Sequence, residues 1–145
     1  MKNTPCMYCE EDSRLDSLMV PVTTLSTSKL YLLKDQSFPG RCSLALYEHK
    51  TELCDLDTEH LHGFTDDLAQ TAAMLVSLFQ ADKINYAIFG DKMPHLHVHL
   101  AVKRSSDNDF GQPYNMCARQ PVYLSDGDLA TRVETVRQYF LKPSP

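Results

Sequence analysis

Residues 95–100 read His-Leu-His-Val-His-Leu, a strict alternation of imidazole and aliphatic side chains. Because successive side chains of a β-strand point to opposite faces, this alternation predicts a strand whose aliphatic side chains face a core. The opposite face would then carry three imidazoles, from His95, His97 and His99. A solvated polar face is the alternative, but Asp, Thr, Lys or Ser would serve that purpose equally well. We therefore expect a chemical role for the imidazole face.

Histidine suits the chemistry of phosphate groups, because its pKa lies near neutrality. An unprotonated imidazole can attack phosphorus and later leave from the phosphoramidate, while neighbouring donors stabilise the equatorial oxygens. A zinc site made of all three histidines is a competing interpretation. Side chains at alternate positions run along a line, however, and this places the outer two too far apart for one tetrahedral ion. The alternation therefore predicts a phosphate-handling site.

Apolar patterning around this stretch predicts further elements. β-Branched and apolar residues indicate strands over 18–22, 25–34 and 41–47, the last two pairing around a turn at 36–40. Helical spacing of apolar residues extends from a cap at Asp57 or Thr58 to about residue 80. Residues 84–89 and 96–103 resemble two strands of a hairpin.

The last part of the chain predicts a second helix, capped by Ser125 or Asp126 and apolar on one face. Strands grouped around one long helix, with a helix at the end, indicate an α+β fold with a mainly antiparallel sheet. We expect a single domain over residues 1–145, with an irregular amino-terminal arm (1–14) and a tail (108–145) that contains the second helix.

Composition narrows the class of protein. The net charge is −5, from 14 basic and 19 acidic residues, and this disfavours binding to a nucleic-acid polymer. Neither a secretory segment nor an apolar run of roughly 20 residues is visible, so we expect a soluble, cytoplasmic protein without membrane contact. The odd number of cysteines, five, indicates reduced thiols rather than a disulfide framework.

The run from Asn85 to Leu100, with its Gly90-Asp91 turn followed by Pro94-His95-Leu96-His97-Val98-His99, resembles the signature of histidine triad (HIT) proteins. It is especially similar to the bacterial branch, and the resemblance covers roughly residues 6–104. It implies a HIT-like fold and a homodimer. The tail after Asn108 is not characteristic of the family.

The resemblance also implies roles for the three histidines. His97 would be the nucleophile that takes the α-phosphate of a nucleotide, and His99 would contact that phosphate. His95 would lie at the edge of the site, as a structural or metal-binding member. Many relatives carry a Gln or Ser in a glycine-rich loop ahead of the triad. Here Asp91-Lys92-Met93-Pro94 stands in that place, which leaves substrate choice and activation of the leaving group open.

Other candidate substrate contacts follow from the same resemblance. Residues 30–34 and 38–40 would hold the base, although ordinary core positions are the alternative. Asp35 would meet ribose hydroxyls and Asn85 would lie near the phosphates. Arg41 would contact phosphate or simply end a strand.

The hairpin turn supplies two more candidates, Asp91 and Lys92. Lys92 would bring positive charge towards the phosphates, with a solvated lysine as the alternative.

Cys6-Met7-Tyr8-Cys9 is a Cys-x-x-Cys motif, which is common in zinc sites but also in redox pairs and in unrelated thiols. In some HIT proteins such a motif joins a histidine at the end of a strand and the first histidine of the triad. Here those residues would be His49 and His95, and together with Cys6 and Cys9 they would form a structural zinc site. The remaining thiols are expected to be small buried residues: Cys42, Cys54 and Cys117.

The expected function is hydrolysis of a nucleotidyl phosphoanhydride or phosphoramidate through a nucleotidyl-histidine intermediate. Dinucleoside polyphosphates and adenylyl conjugates are the substrates that the resemblance suggests. Two alternatives stay open. One is a nucleotidyltransferase, in which an acceptor replaces water, and the other is a non-catalytic nucleotide-binding or zinc-binding module.

Overall fold

The computed structural model describes residues 5–142. These residues contain five strands, β1 (Met19–Thr24), β2 (Ser28–Leu33), β3 (Cys42–Leu46), β4 (Lys83–Ala87) and β5 (His97–Lys103). The α-helices among them are α1 (Met7–Glu10), α2 (Ser13–Leu18), α3 (Thr58–Phe79) and α4 (Asp126–Leu141), and a 3-10 helix spans Leu53–Asp55. None of these helices combines the length and apolar character that crossing a membrane requires.

The strands form one antiparallel sheet in the order β1-β2-β3-β5-β4. Strand β5 therefore lies inside the sheet, and each of its residues is buried. One face of the sheet packs against α3 and α4 through an apolar core that includes Val98, Leu100, Phe64 and Val136. This arrangement confirms the predicted α+β fold with an antiparallel sheet, one long helix and a carboxy-terminal helix.

The other face of β5 carries His97 and His99, two of the three histidines that the alternation placed there. In the register between β3 and β5, Ala45 lies opposite His97 and Ser43 lies opposite His99. These neighbours are small, so they leave room for the two imidazole rings beside them. Strand β5 begins at His97 rather than at the predicted residue 96, so His95, which the alternation also placed on this strand face, lies two residues before it.

The caps of both long helices are confirmed. Asp57 accepts a hydrogen bond from the backbone N–H of His60 at the start of α3, at 2.9 Å. Ser125 Oγ accepts one from the N–H of Asp128 at the start of α4, at 3.1 Å. Such caps satisfy amide groups that the first turn of a helix leaves unpaired.

The prediction of an irregular arm over residues 1–14 is wrong where the structure describes it. Residues 7–10 and 13–18 form α1 and α2, and α2 includes Leu18, which the sequence assigned to the first strand. Asp12 caps α2 by accepting from the N–H of Arg14, and Leu15 is buried beneath it. Helices this short contain too few turns to show a periodic apolar pattern.

Strand β2 begins at Ser28, three residues later than predicted, because residues 26–28 are bound to the buried Asp67 of α3. Its carboxylate accepts hydrogen bonds from the N–H and hydroxyl of Ser26, the N–H and hydroxyl of Thr27 and the hydroxyl of Ser28, at 2.7–3.1 Å. Burial alone would raise the pKa of Asp67, but these donors outweigh it and the pKa is lowered. The ionised carboxylate thus attaches the β1–β2 turn to α3.

We expect Asp67→Asn to lower the free energy of unfolding by about 2 kcal/mol, because an amide group would face several donors with only one acceptor oxygen. Urea unfolding followed by circular dichroism measures this change. The matched control is Asp66→Asn, since Asp66 is exposed on the same helix. Equal stabilities of the two variants would contradict the assigned role of Asp67.

Candidate functional site

His97 has a defined tautomer. Its Nδ1 lies 2.6 Å from the backbone carbonyl oxygen of His95. A carbonyl oxygen can only accept, so Nδ1 carries the proton and donates it to this bond. The lone pair of a neutral His97 is therefore on Nε2, which is the arrangement that a nucleophilic imidazole needs.

Both His97 and His99 are buried, and burial lowers the pKa of each ring. The pKa of His99 falls to about 4, because the nearby charges of His97 and Arg41 add to the effect of burial. The two rings meet edge to face with their centroids 4.9 Å apart. The lowered pKa values favour the neutral form of both rings, and the neutral imidazole is the form that can act as a nucleophile.

Two cavities reach these histidines from different sides. The first, which we call the hairpin cavity, has a volume of about 490 Å³; it is lined by residues 89–93, His97, His99 and residues 114–117. The second, the arm cavity, has a volume of about 300 Å³; it is lined by residues 7–8, 17–19 and 33–35, together with Arg41, His97, His99, Met116 and Tyr123. Met116 lines both cavities, so it lies between them beside the two imidazoles.

Asp35 and Arg41, two predicted substrate residues, line the arm cavity together. The guanidinium of Arg41 donates to Asp35 at 2.8 Å. Asp35 also accepts from the N–H groups of Ser37 and Val122, at 3.0 and 3.1 Å. Burial would raise the pKa of Asp35, but these backbone bonds outweigh it, so the pKa is lowered. Asp35 is thus an ionised acceptor next to the histidines.

Some buried polar atoms of the residues that line the two cavities have no hydrogen-bond partner within residues 5–142. They include Nδ1 of His99, Nε of Arg41 and the hydroxyl of Tyr114. Buried polar groups are normally paired. A ligand with polar oxygens would supply partners for them.

The other predicted substrate residues divide into two groups. Asp91 and Lys92 line the hairpin cavity, as expected for the turn before the histidines. Asn85 does not reach the histidines, because it pairs with Ala101, two residues beyond His99 along β5. It lines a separate depression with Lys83 and other residues, so the structure does not bring it into either cavity beside the histidines.

The four predicted metal ligands meet in one cluster: Cys6, Cys9, His49 and His95. Their ligand atoms all lie within 4.8 Å of one another. Nδ1 of His95 is 3.3 Å from the sulfur of Cys6 and 3.3 Å from Nδ1 of His49. Two thiols and two imidazoles form a donor set that suits tetrahedral Zn²⁺.

The ring of His95 is oriented for this cluster. Its Nε2 lies 2.8 Å from the carbonyl oxygen of Leu46 and must donate to it, which leaves an unprotonated Nδ1 facing the thiols. The side chain of His95 therefore belongs to the cluster of four candidate metal ligands. Its backbone carbonyl, in contrast, faces His97.

No protein-family model and no curated protein matches the chain. Solved structures do. A histidine triad protein from Bradyrhizobium japonicum has a TM-score of 0.77 at 23% identity, covering 88% of this chain and 94% of its own. The chain has the histidine triad fold.

Two other solved structures share this histidine triad fold. A Zn-bound histidine triad family protein from Mycobacterium smegmatis has a TM-score of 0.67 at 19% identity, with 94% of each chain covered. The diadenosine triphosphate hydrolase of Plasmodium falciparum, in complex with cyclomarin A, has a TM-score of 0.65 at 16% identity, with 85% of this chain and 77% of that chain covered.

Within the histidine triad fold, this chain has site residues that the sequence did not reveal. Residues 114–117, which belong to the tail, line the hairpin cavity. Tyr8, which belongs to α1, packs against His95 and His97. Neither segment shows a periodic or compositional signal. The expectation for the thiols was also partly wrong, since Cys42 is buried whereas Cys54 and Cys117 are exposed in a 3-10 helix and a turn.

The lowered pKa of His99 predicts a defined dependence of stability on pH. Because the folded pKa of about 4 lies below the ordinary value of 6.5, the unfolded chain binds more protons between these values. Stability contributed by neutral His99 is therefore present near neutral pH and is lost as the pH falls from 6.5 towards 4.

An NMR titration of the histidine ring signals measures this, and urea unfolding at several pH values should show less acid destabilisation in His99→Gln. His60 is the internal reference, because its hydrogen bond to Asp57 raises its pKa instead. A His99 ring that titrates at its ordinary value would contradict the prediction.

Proposed function

We propose that the chain is a histidine triad hydrolase that releases a nucleoside monophosphate from a nucleotidyl phosphoanhydride or phosphoramidate. The observation that carries this proposal is the fixed tautomer of His97, whose free Nε2 belongs to a ring reached by both cavities. The fold, shared with a diadenosine triphosphate hydrolase, is consistent with it.

The proposed reaction has two displacements at the α-phosphorus. Nε2 of His97 attacks, a bond from nitrogen to phosphorus forms, and the bond from phosphorus to the leaving group breaks. Water then attacks the same phosphorus, the nitrogen–phosphorus bond breaks, and the nucleoside monophosphate leaves while His97 returns to its neutral form. His99 contacts the phosphate oxygens during both steps.

A substrate with a bulky group on each side of the phosphorus suits two cavities that meet at one nucleophile. We place the nucleoside in the arm cavity, where the ionised carboxylate of Asp35 can accept hydrogen bonds from ribose hydroxyls. Arg41, beside it, is available to the phosphate. The leaving group then occupies the hairpin cavity near Lys92, whose positive charge favours a departing anion.

The proposal includes a structural zinc ion and a homodimer. Cys6, Cys9, His49 and His95 would hold the zinc, which would attach α1 to the sheet next to the histidines. The Zn-bound histidine triad family protein from M. smegmatis supports this choice of metal. The homodimer follows from the family resemblance, and light scattering of the purified protein would test it.

We expect His97→Asn to reduce release of nucleoside monophosphate by more than about 10³-fold, because the nucleophile is removed. Chromatography of reactions with diadenosine triphosphate and with an adenylyl phosphoramidate measures the products. His62→Asn, at an exposed position of α3, is the control.

Denaturation at alkaline pH, where the nitrogen–phosphorus bond is stable, should also trap a nucleotidyl-histidine adduct on the native chain. Absence of turnover in the native protein, or its persistence in His97→Asn, would overturn the proposed function. Added phosphate or sugar phosphate that appears in the product would identify a transferase instead.

The zinc site has a separate test, independent of any activity. We expect Cys6→Ser to lose most of the bound zinc, because a serine hydroxyl is a poor ligand for this ion. Elemental analysis of the protein, purified with zinc present, measures the ion per chain. Cys54→Ser, which alters an exposed thiol outside the cluster, should keep the native content. Unchanged zinc in Cys6→Ser would remove these ligands from the proposal.

A further inference from the structure

Tyr8 connects the metal cluster with the proposed nucleophile. It lies in α1, between Cys6 and Cys9, and its side chain is buried. Its ring centroid is 5.1 Å from the ring of His95 and 5.0 Å from that of His97. One aromatic ring therefore touches both a predicted metal ligand and the predicted nucleophile.

The position of the Tyr8 ring is itself defined by several contacts. Its hydroxyl forms a hydrogen bond with Ser43 Oγ at 3.1 Å, and its ring packs against Tyr31 at 5.8 Å. The backbone of α1 is held compactly, since the N–H groups of Cys9 and Glu10 both donate to the carbonyl of Cys6. Tyr8 is thus a fixed wall rather than a mobile side chain.

The geometry restricts the ring of His97 from two sides. Tyr8 lies on one side, tilted by 37° relative to the imidazole, and His99 meets the imidazole edge to face. The hydrogen bond from Nδ1 to the His95 carbonyl further restricts rotation of the imidazole ring. A nucleophile held in one orientation loses less entropy on the way to the transition state.

We propose that Tyr8 is a positioning residue, whose ring keeps the His97 imidazole oriented towards the substrate phosphorus. The orientation of His97 then depends on the position of α1, which Cys6 and Cys9 attach to the candidate metal ligands. The inference rests on the proposed function, in which His97 is the nucleophile. The ring carries this role and the hydroxyl does not, because the ring packs against the imidazole whereas the hydroxyl hydrogen-bonds to Ser43.

Replacement of Tyr8 by Leu and by Phe separates the ring from the hydroxyl. We expect Tyr8→Leu to lower kcat by about 10- to 100-fold with a smaller change in KM, because the nucleophile loses its fixed orientation. Tyr8→Phe, which keeps the ring, should retain a kcat within about twofold of the native value. Leu15→Ala is the matched control, since Leu15 is buried in the same apolar cluster but does not line either cavity.

NMR of the histidine ring nitrogens provides a readout that needs no activity. The native chain and Tyr8→Phe should show His97 as a single Nδ1–H tautomer, and Tyr8→Leu should show exchange between ring states. Removal of zinc by a chelator should broaden the same signals in the native chain. If Tyr8→Leu does not fold, Tyr8→Met, which keeps the apolar volume, replaces it.

Native His97 signals and a native kcat in the Leu or Met variant would overturn the inference, as would equal effects in Leu15→Ala. The ring signals remain informative even if no nucleotide is turned over. Loss of the proposed function and loss of the positioning role are therefore distinguishable results.

Discussion

The hydrogen bond from His97 Nδ1 to the carbonyl oxygen of His95 joins the two chemical parts of the molecule. On one side, it leaves the lone pair of His97 on Nε2, next to the cavities. On the other, its acceptor is the backbone carbonyl of a residue whose side chain belongs to the cluster of candidate metal ligands. The placement of one peptide group therefore determines both the tautomer of the proposed nucleophile and the path of the chain into β5.

Strand β5 contributes both to the apolar core and to the candidate site, because each of its two faces is covered by other parts of the protein. Val98 and Leu100 are part of the apolar core, while His97 and His99 lie under α1 and the tail. Burial removes water from the imidazoles and lowers their pKa, so the same packing that stabilises the sheet keeps the rings neutral. Stability and the proposed chemistry thus depend on the same strand.

The sequence predicted the elements whose pattern is local. Alternation identified β5, and spacing of apolar residues identified α3 with its Asp57 cap. Spacing alone marked Cys6 and Cys9 as candidate metal ligands, but His49 and His95 were joined to them by the family resemblance, since residues so distant in the chain carry no local signal of contact. The resemblance also suggested Asn85, but its place opposite Ala101 depends on the register between β4 and β5, for which the sequence carries no local signal. Tyr8 and Met116 were missed because their contacts depend on how short helices and the tail dock.

The contact between Cys6 and His95 joins residues 89 positions apart, so it closes a loop over most of the chain. Such a closure costs the unfolded chain entropy that grows with the logarithm of loop length. During synthesis, α1 emerges before all of its partners, and its contacts with Tyr31 and Ser43 become available before those with His95 and His97. The proposed active site is thus complete only when the two ends of this loop meet.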